Sequence, residues 1–218
     1  MIKGIIFDMD GVISDTQKLH SKIESQLVGE CGVKITPEEI TRRYSGRRTR
    51  EVFEELLKSQ GIKSDLDLLM NKKWSQMEKL ASESVDAIDG SIELIKRLSS
   101  EGYLLAVASA SNLNYVQSVL RTLDVIDQFR YIVSGDMVSK GKPDPESFLL
   151  AASKINVTPE NCLVIEDGRS GMEAAKKGKM FCIGLVKNNR EPYPTKYLVT
   201  NLSEITPNYL ISIINNTQ

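Results

Sequence analysis

The sequence is poor in the residues that build disulfide frameworks and histidine metal sites, and it has almost no excess of charge. It contains three cysteines, one histidine and one tryptophan in 218 residues, with a net charge of −1 at pH 7. The cysteines are odd in number and widely spaced, so we expect reduced packing residues at Cys31, Cys162 and Cys182. The near-neutral charge gives no electrostatic case for binding nucleic acid or an anionic membrane.

Long hydrophobic runs are also missing. The apolar run near the N-terminus, in MIKGIIFDMD, is short and meets acidic residues at once, so we interpret it as neither a signal peptide nor a membrane span. We therefore expect a cytoplasmic protein, and we expect a monomer. Apolar residues make up 41% of the chain, which is enough for the core of one sizeable domain or of a domain with a smaller companion.

Short apolar runs alternate with segments of helical periodicity along most of the chain. The runs are rich in Ile, Val and Phe and lie at residues 2–7, 103–108, 131–133, 162–165 and 181–186. Near-continuous apolar strands that alternate with helices are typical of a parallel sheet covered on both faces. The pattern therefore predicts an α/β fold with a doubly wound, Rossmann-like sheet.

Residues 15–86 interrupt this alternation. They show no strand pattern, and the spacing of their apolar residues predicts several consecutive helices. We interpret this block as an inserted all-helical cap domain over residues 15–86, with a core domain formed by residues 1–14 and 87–218. The alternative is that these helices pack on the core as additional layers.

Helix starts are marked by a capping residue followed by proline and glutamate. The segments are Thr36-Pro37-Glu38-Glu39, Asp144-Pro145-Glu146 and Thr158-Pro159-Glu160. Because proline suits the first helical position and the preceding side chain can accept a backbone N–H, each segment predicts the start of a helix.

Two of the predicted strands are followed by acidic residues. Asp8 and Asp10 follow the first strand, and Glu166 and Asp167 follow the strand at 162–165. Since the carboxyl ends of parallel strands meet at one edge, we expect these four residues to face one crevice. Clustered carboxyl groups repel unless a cation or proton lies between them, and Mg²⁺ prefers such oxygen ligands. For the first pair alone, the alternative is a solvated turn.

Two further segments carry groups suited to binding a phosphate. Ser109 and Ala110 end the strand at 103–108 just before a helix, whose free backbone N–H groups favour anions. The alternative there is ordinary helix capping by Ser111 or Asn112. In the segment 140–145, a lysine could offset the acids and hold a phosphate, with Lys140 and Lys142 as competing candidates.

Taken in order, these segments form four motifs that resemble those of the haloacid dehalogenase superfamily. They are Asp-x-Asp-Gly-Val-x-x-Asp-Thr, Ser-Ala-Ser, Lys-Pro-Asp-Pro and Glu-Asp-x-x-x-Gly, and together they extend over nearly the whole chain. The similarity is closest to the β-phosphoglucomutase-like branch, which has a helical cap after the first motif. It implies a Mg²⁺-dependent phosphatase of small phosphorylated metabolites, with sugar phosphates as the expected class.

The resemblance also implies roles for individual residues. Asp8 would attack phosphorus and form an aspartyl-phosphate, and Asp10 would act first as general acid and then as general base. Lys142 would bridge Asp8 and the phosphoryl group, whose oxygens Ser109 and the backbone at Ala110 would hold. We accordingly expect the pKa of Asp10 to be raised and Asp8, beside the metal, to stay ionised.

Implied metal ligands come from the same motifs. The candidates are Asp8, the backbone carbonyl of Asp10, and Asp167, with Glu166 close by. The implied cofactor is Mg²⁺, and the implied partner is a small phosphorylated metabolite without nucleic acid or membrane.

The predicted cap supplies the candidates for substrate recognition. Thr16, at the end of the first motif, and His20, soon after it on the first cap helix, are two of these candidates. Mutases of this branch have a histidine at the place of His20 that helps gate Asp10; the alternative is a packing histidine. Arg47 and Arg48 lie in an arginine-rich segment and could hold a second anionic group, or they could form a solvated basic surface.

The main alternative to a phosphatase is a β-phosphoglucomutase-type mutase. The mutase that the sequence resembles uses a cap arginine and a lysine on the last cap helix, and Thr49 and Met77 fall at those places here. This difference favours a phosphatase. A non-catalytic sensor of phosphorylated metabolites is a third reading, although none of the expected catalytic carboxylates is missing.

Overall fold

Every strand pair in the described part of the chain is parallel. The computed structural model describes residues 1–188 and 192–215, without the side chains of residues 214 and 215. Its strands form one sheet in the order β3-β2-β1-β4-β5-β6. They are β1 (Gly4–Phe7), β2 (Leu104–Ala108), β3 (Tyr131–Val133), β4 (Cys162–Glu166), β5 (Phe181–Leu185) and β6 (Tyr197–Val199).

The strand order explains where a ligand would bind. The chain runs outward from β1 through β2 to β3, and then returns beside β1 to form β4, β5 and β6. The direction of winding therefore reverses between β1 and β4, and in such sheets ligands bind beyond the carboxyl ends of the strands at this point. The predicted doubly wound α/β fold is confirmed.

Helices cover both faces of the sheet. One face packs against α5 (Ser91–Ser100), α6 (Leu113–Thr122) and α9 (Pro207–Asn215), and the other against α7 (Glu146–Lys154) and α8 (Arg169–Lys177). Alternate residues of β1 show the division, because Ile5 and Phe7 face the first set of helices and Ile6 faces the second. Successive residues of β1 therefore pack into the apolar clusters on opposite faces of the sheet.

Four helices lie between β1 and α5 and contain the residues of the predicted cap. These inserted helices are α1 (Gln17–Glu30), α2 (Pro37–Tyr44), α3 (Thr49–Ser59) and α4 (Leu66–Glu83). The two connections to the sheet run side by side, since Asp15 N donates to Asp86 O at 2.8 Å and Ile88 N donates to Ile13 O at 3.0 Å. A division into domains at 14/15 and 86/87 remains our proposal, and residues 189–191 and 216–218 of that core lie outside the described residues.

Local patterns predicted most, but not all, of these elements. The capping box at Thr36 and Glu39 forms as expected. Thr158-Pro159-Glu160 does not begin an α-helix, because β4 starts at Cys162 and leaves room only for a 3-10 turn. The strand β6 was not predicted, although its sequence Tyr-Leu-Val is as long as the apolar run that predicted β3.

Two expectations from the composition can also be compared with the structure. All three cysteines lie in the described part, and all are free thiols, with Cys162 and Cys182 buried as packing residues. None of the described helices combines the length and hydrophobicity needed to cross a membrane.

Candidate active site

Three acidic side chains meet at the carboxyl ends of β1 and β4. The two strands pair in register, with Phe7 opposite Ile165, so that Asp8 comes to lie beside Glu166 and Asp167. One carboxylate oxygen from each of the three lies within 4.8 Å of the others. We call Asp8, Glu166 and Asp167 the acidic cluster.

Two glycines make room for the acidic cluster. Gly11 has a φ of +93°, and a Cβ atom there would lie 2.3 Å from Oδ2 of Asp167. A Cβ atom at Gly171, on α8, would lie 1.9 Å from Oε2 of Glu166. The carboxylates can therefore keep these positions only because both neighbours lack a side chain.

Lys142 is the cation that reaches the acidic cluster. Its side chain is 2% exposed, and Nζ lies 2.5 Å from Oδ1 of Asp8 and 2.8 Å from Oε2 of Glu166. The competing candidate, Lys140, is 73% exposed and lies 4.0 Å from Asp144. Of the two lysines, only Lys142 is therefore placed to act on Asp8.

One lysine does not neutralise the acidic cluster. Burial, and then the neighbouring Glu166, raise the pKa of Asp8 to about 8, although Lys142 opposes the shift. Burial also raises the pKa of Asp167, together with the charges of Glu166 and Asp8. A hard divalent cation prefers carboxylate oxygens in such an arrangement and would remove their repulsion, so the donor set fits a metal ion.

The side chain of Asp10 points away from the acidic cluster. Its Oδ1 accepts a hydrogen bond from Thr16 at 2.6 Å, and its Oδ2 accepts one from Ser111 at 2.9 Å. The hydroxyl of Tyr115 donates to Oδ1 at 3.4 Å. His20 Nε2 lies 3.0 Å from the same oxygen, at ion-pair distance but not aligned for a hydrogen bond.

These partners decide the protonation state of Asp10. Burial raises its pKa, but the adjacent His20 and the hydrogen bonds from Thr16 and Ser111 outweigh burial, so the pKa lies below its ordinary value. The expectation that the pKa of Asp10 is raised is therefore wrong. Among the protein groups alone, Asp8 is the weaker acid and Asp10 the stronger one, and an ionised Asp8 beside a metal ion stays a prediction. Partners of Asp10 from α1 and from the segment after β2 cause the reversal.

A cleft opens between the acidic cluster and the inserted helices. Asp8, Asp10, Ala110 and Ser111 line its core end. The inserted helices contribute His20, Glu24 and Thr49 to its wall, and the loop between α2 and α3 contributes Arg47. The structure thus brings the two strand-end aspartates and the first inserted helix to one space.

The remaining predicted binding residues differ in position. Ser109 is buried and accepts a hydrogen bond from the backbone N–H of Ser111 at 3.1 Å. Thr16 binds Asp10 and so acts on the carboxylate directly. Arg47 lines the cleft, but its Nη1 is paired with Glu55 at 2.9 Å.

Arg48 lies outside the residues that line the cleft. Its Nη1 donates to the carbonyl of Ser139 at 2.9 Å, and nearby Glu51 accepts from the backbone N–H of Gly141 at 3.1 Å. Both contacts join α3 to the segment that carries Lys142. The position of Arg48 therefore suits a link between α3 and this segment better than contact with a substrate.

Several residues at the cleft were not predicted from the sequence. Ser111 and Tyr115 bind Asp10, yet they resemble ordinary helix-start residues along the chain. Glu24 lies four residues after His20, and this helical spacing was the one available sign that both occupy the same face of α1. Lys73, whose Nζ donates to Oε1 of Glu24 at 2.5 Å, gives no such sign in the sequence, because a lysine on a helix is usually exposed.

Comparison with known proteins finds similarity over most of the chain. The family described as "Haloacid dehalogenase-like hydrolase" matches residues 5–185. A phosphorylated carbohydrates phosphatase of Thermotoga maritima is 34% identical over 175 residues, which cover 80% of this chain and 81% of the relative. A β-phosphoglucomutase of Bacillus subtilis is 31% identical over 191 residues, with 84% and 83% covered.

Solved structures show the same likeness. A crystal structure of β-phosphoglucomutase from Clostridium difficile matches with a TM-score of 0.86 and 27% sequence identity. The match covers 100% of this chain and 99% of that one.

A methyl group at position 171 should displace Glu166 and inactivate the site. We expect Gly171→Ala to lower kcat/KM by roughly 100-fold, because a misplacement of about 1 Å at a catalytic centre has that order of effect. Gly29→Ala is the matched control, since a Cβ atom there meets nothing within 4 Å, and it should leave activity unchanged. Equal activities of the two variants, measured as steady-state phosphate release, would contradict this geometry.

Divalent cations should stabilise the protein more at high pH than at low pH. The raised pKa values of Asp8 and Asp167 mean that the folded protein keeps protons which the unfolded chain releases near pH 3.8, so stability without metal should fall from about pH 4 to about pH 8. A cation must displace these protons, and at 100-fold excess over its Kd it adds about 2.7 kcal/mol. Thermal unfolding with and without Mg²⁺ at about pH 5 and about pH 8 measures this difference.

The matched variant for this measurement is Asp167→Asn, which should lose most of the Mg²⁺-dependent increase in Tm. A Mg²⁺-dependent increase that is the same at both pH values, or that persists in Asp167→Asn, would count against a metal site in the acidic cluster.

Proposed function

The chain belongs to the haloacid dehalogenase-like hydrolases, and on that premise we propose that it is a Mg²⁺-dependent phosphatase of small phosphorylated metabolites, with sugar phosphates as the substrate class. The resemblance of its motifs to this family and to the β-phosphoglucomutase-like branch is confirmed. The observation that carries the proposal is the position of Asp8. It lines the cleft, directly follows β1 and lies in contact with Lys142.

Asp8 is the proposed nucleophile. One of its carboxylate oxygens attacks phosphorus, and the bond between phosphorus and the ester oxygen of the substrate breaks. Water then attacks the phosphorus of the aspartyl-phosphate, releases inorganic phosphate and restores Asp8. A covalent intermediate of this kind divides one difficult transfer into two easier steps.

Lys142 supports both steps electrostatically. Its Nζ is within 2.8 Å of both Asp8 and Glu166, so it holds the nucleophile and offsets charge near the phosphoryl oxygens. Ser109 and the backbone N–H at Ala110 are the proposed donors to the transferred group. Because Lys142 is buried, its attraction for these oxygens is only weakly screened by water.

Asp10 is the proposed acid and base. Its lowered pKa leaves it ionised, as the second step requires when it takes a proton from water. In the first step it donates a proton to the leaving oxygen, and the proton that it takes from water in the second step restores the acid for the next turnover. His20 Nε2 lies 3.0 Å from its Oδ1. Thr16 and Ser111 fix the orientation of the carboxylate.

Mg²⁺ is the proposed cofactor. Asp8, Asp167 and the backbone carbonyl of Asp10 would hold the ion, with Glu166 beside them. When bound there, it would neutralise the negative oxygens of the phosphoryl group.

A phosphosugar mutase is the second candidate. The contact between His20 and Asp10 favours it, since the mutases resembled by the first inserted helix have a histidine that helps gate this aspartate. The similar proteins named β-phosphoglucomutase favour it as well. The cap argues against it, because Thr49 occupies the place of the arginine expected in a mutase and Arg47 is already paired.

Other parts of the proposal follow from the same reading. A small phosphorylated metabolite is the proposed partner, and a monomer in the cytoplasm, without nucleic acid or membrane partners, stays a prediction. The alternative of a non-catalytic sensor is disfavoured by the presence of Asp8, Asp10, Lys142 and the acidic cluster together.

Phosphate release from a panel of phosphorylated sugars, polyols and nucleotides tests the proposal. We expect Mg²⁺-dependent release from one or a few sugar or polyol monophosphates, abolished by chelation. The panel includes β-glucose 1-phosphate with a trace of its bisphosphate, assayed for glucose 6-phosphate. Formation of glucose 6-phosphate with little phosphate released would instead establish the mutase.

Three variants make this test specific to the site. Asp8→Asn removes the nucleophile and should abolish turnover. Lys142→Met should lower kcat by at least about 100-fold, comparable to the loss of one electrostatic stabiliser of a transition state. Lys140→Met is the matched control on the same loop and should keep full activity, because Lys140 is exposed. Full activity of Asp8→Asn or Lys142→Met would overturn the assignment.

A further inference from the structure

A buried polar cluster lies among the inserted helices at the far end of the cleft. It consists of Glu24 on α1, Thr49 at the start of α3 and Lys73 on α4, which are 8%, 4% and 1% exposed. Lys73 Nζ lies 2.5 Å from Oε1 of Glu24, and Thr49 Oγ1 donates to the same oxygen at 2.9 Å. Lys73 also donates to Thr49. None of these residues has a part in the phosphoryl transfer described above.

This cluster leaves one carboxylate oxygen available to the cleft. Both hydrogen bonds to Glu24 end on Oε1, and among the described residues Oε2 has no hydrogen-bond partner. Glu24 and Thr49 both line the cleft, whereas Lys73 lies behind them. Oε2 is not among the buried atoms that lack a partner, so it is accessible, and a ligand hydroxyl or water in the cleft can donate to it.

The position of Glu24 along α1 relates this acceptor to the chemistry. Gln17, His20 and Glu24 all line the cleft, and their spacing of three and four residues places them on one face of the helix. His20 touches Asp10, and Glu24 lies four residues farther along, at a rise of about 6 Å. Glu24 is therefore about one helical turn beyond the general acid, on the side away from the acidic cluster.

The charges at this end of the cleft suit a neutral group. Lys73 is paired with Glu24 and lies 4.5 Å from the centre of the Trp74 ring. Arg47 is the only lysine or arginine among the described residues that line the cleft, and it is paired with Glu55. A second phosphate here would meet the carboxylate of Glu24 without a free cation to offset it.

We propose that Glu24, held in place by Lys73 and Thr49, accepts a hydrogen bond from a hydroxyl at the unphosphorylated end of the substrate. The buried ion pair of Glu24 and Lys73 thereby selects monophosphates of sugars or polyols and rejects bisphosphates. This inference rests on the proposed phosphatase function and specifies its substrate class. It assigns Glu24 as a specificity-determining residue, and Lys73 and Thr49 as positioning residues.

The experiment compares two substrates that share the phosphate but differ at the far end. One is the sugar or polyol monophosphate with the highest kcat/KM in the panel, and the other is p-nitrophenyl phosphate, which has no hydroxyl to donate. Relative to its effect on p-nitrophenyl phosphate, Glu24→Gln should lower kcat/KM for the sugar or polyol monophosphate by roughly 10- to 100-fold. This is the loss expected for a hydrogen bond to a charged group. Most of this loss should appear in KM.

A second ion pair between the same two helices provides the matched control. Glu30 and Lys72 also join α1 to α4, with their charged atoms 3.0 Å apart, but both are exposed and outside the cleft. For both substrates, Glu30→Gln should change kcat/KM by no more than about two-fold, since an exposed ion pair contributes little to stability. If Glu24→Gln lowers kcat/KM by the same factor for both substrates, the cluster only holds the helices together and the inference is wrong.

Two further measurements cover instability and the rejection of bisphosphates. If the single variant folds poorly, the double variant Glu24→Gln/Lys73→Met, which removes both buried charges, should show the same loss of selectivity.

The wild type should hydrolyse fructose 1,6-bisphosphate at least about 10-fold less efficiently than the preferred monophosphate, and Glu24→Gln should reduce this difference. A preference of the wild type for the bisphosphate would overturn the inference and leave the phosphatase intact. Absence of release from every substrate would overturn both.

Discussion

The contact between Lys142 and the two carboxylates of Asp8 and Glu166 is the interaction on which the site depends. Burying a charge is costly unless it is paired, and removing one partner of a buried pair typically costs about 3–5 kcal/mol. Here three acids from the ends of two adjacent strands surround one lysine from a distant loop. A single lysine does not balance them, so the pKa values of Asp8 and Asp167 are raised. The arrangement therefore suits a divalent cation beside Asp8, the proposed nucleophile.

The first inserted helix connects the two ends of the cleft. At one end, α1 brings His20 to Asp10 and so lowers the pKa of this carboxylate, the proposed acid and base. One turn later, the same face carries Glu24, whose orientation is fixed by residues of α3 and α4. A small movement of α1 would therefore change both the protonation of Asp10 and the position of the acceptor. The proposed chemistry and the proposed substrate selection thus depend on one helix.

Sequence reasoning worked where the physical cause was local. Apolar runs, capping residues and strand-end acids can each be recognised from a few neighbouring residues. These patterns predicted the strands β1 to β5, the inserted helices and the proximity of Asp8 to Glu166 and Asp167. It failed where the cause was distant. The pKa order of Asp8 and Asp10 depends on groups such as Ser111, which is 101 residues from Asp10. The choice between Lys140 and Lys142 likewise depends on the path of a loop, and the partner of Glu24 lies 49 residues away on another helix.

The most direct test of the central claim is to find the covalent intermediate. The enzyme is mixed with its best substrate and Mg²⁺, quenched in acid during turnover, digested, and examined by mass spectrometry for a phosphoryl group. The account predicts an acid-stable, base-labile phosphoryl group on the peptide that contains Asp8, and its disappearance when the substrate is exhausted. A phosphoryl group on another residue, or rapid turnover of the wild type without any labelled peptide, would contradict the assignment of Asp8 as the nucleophile.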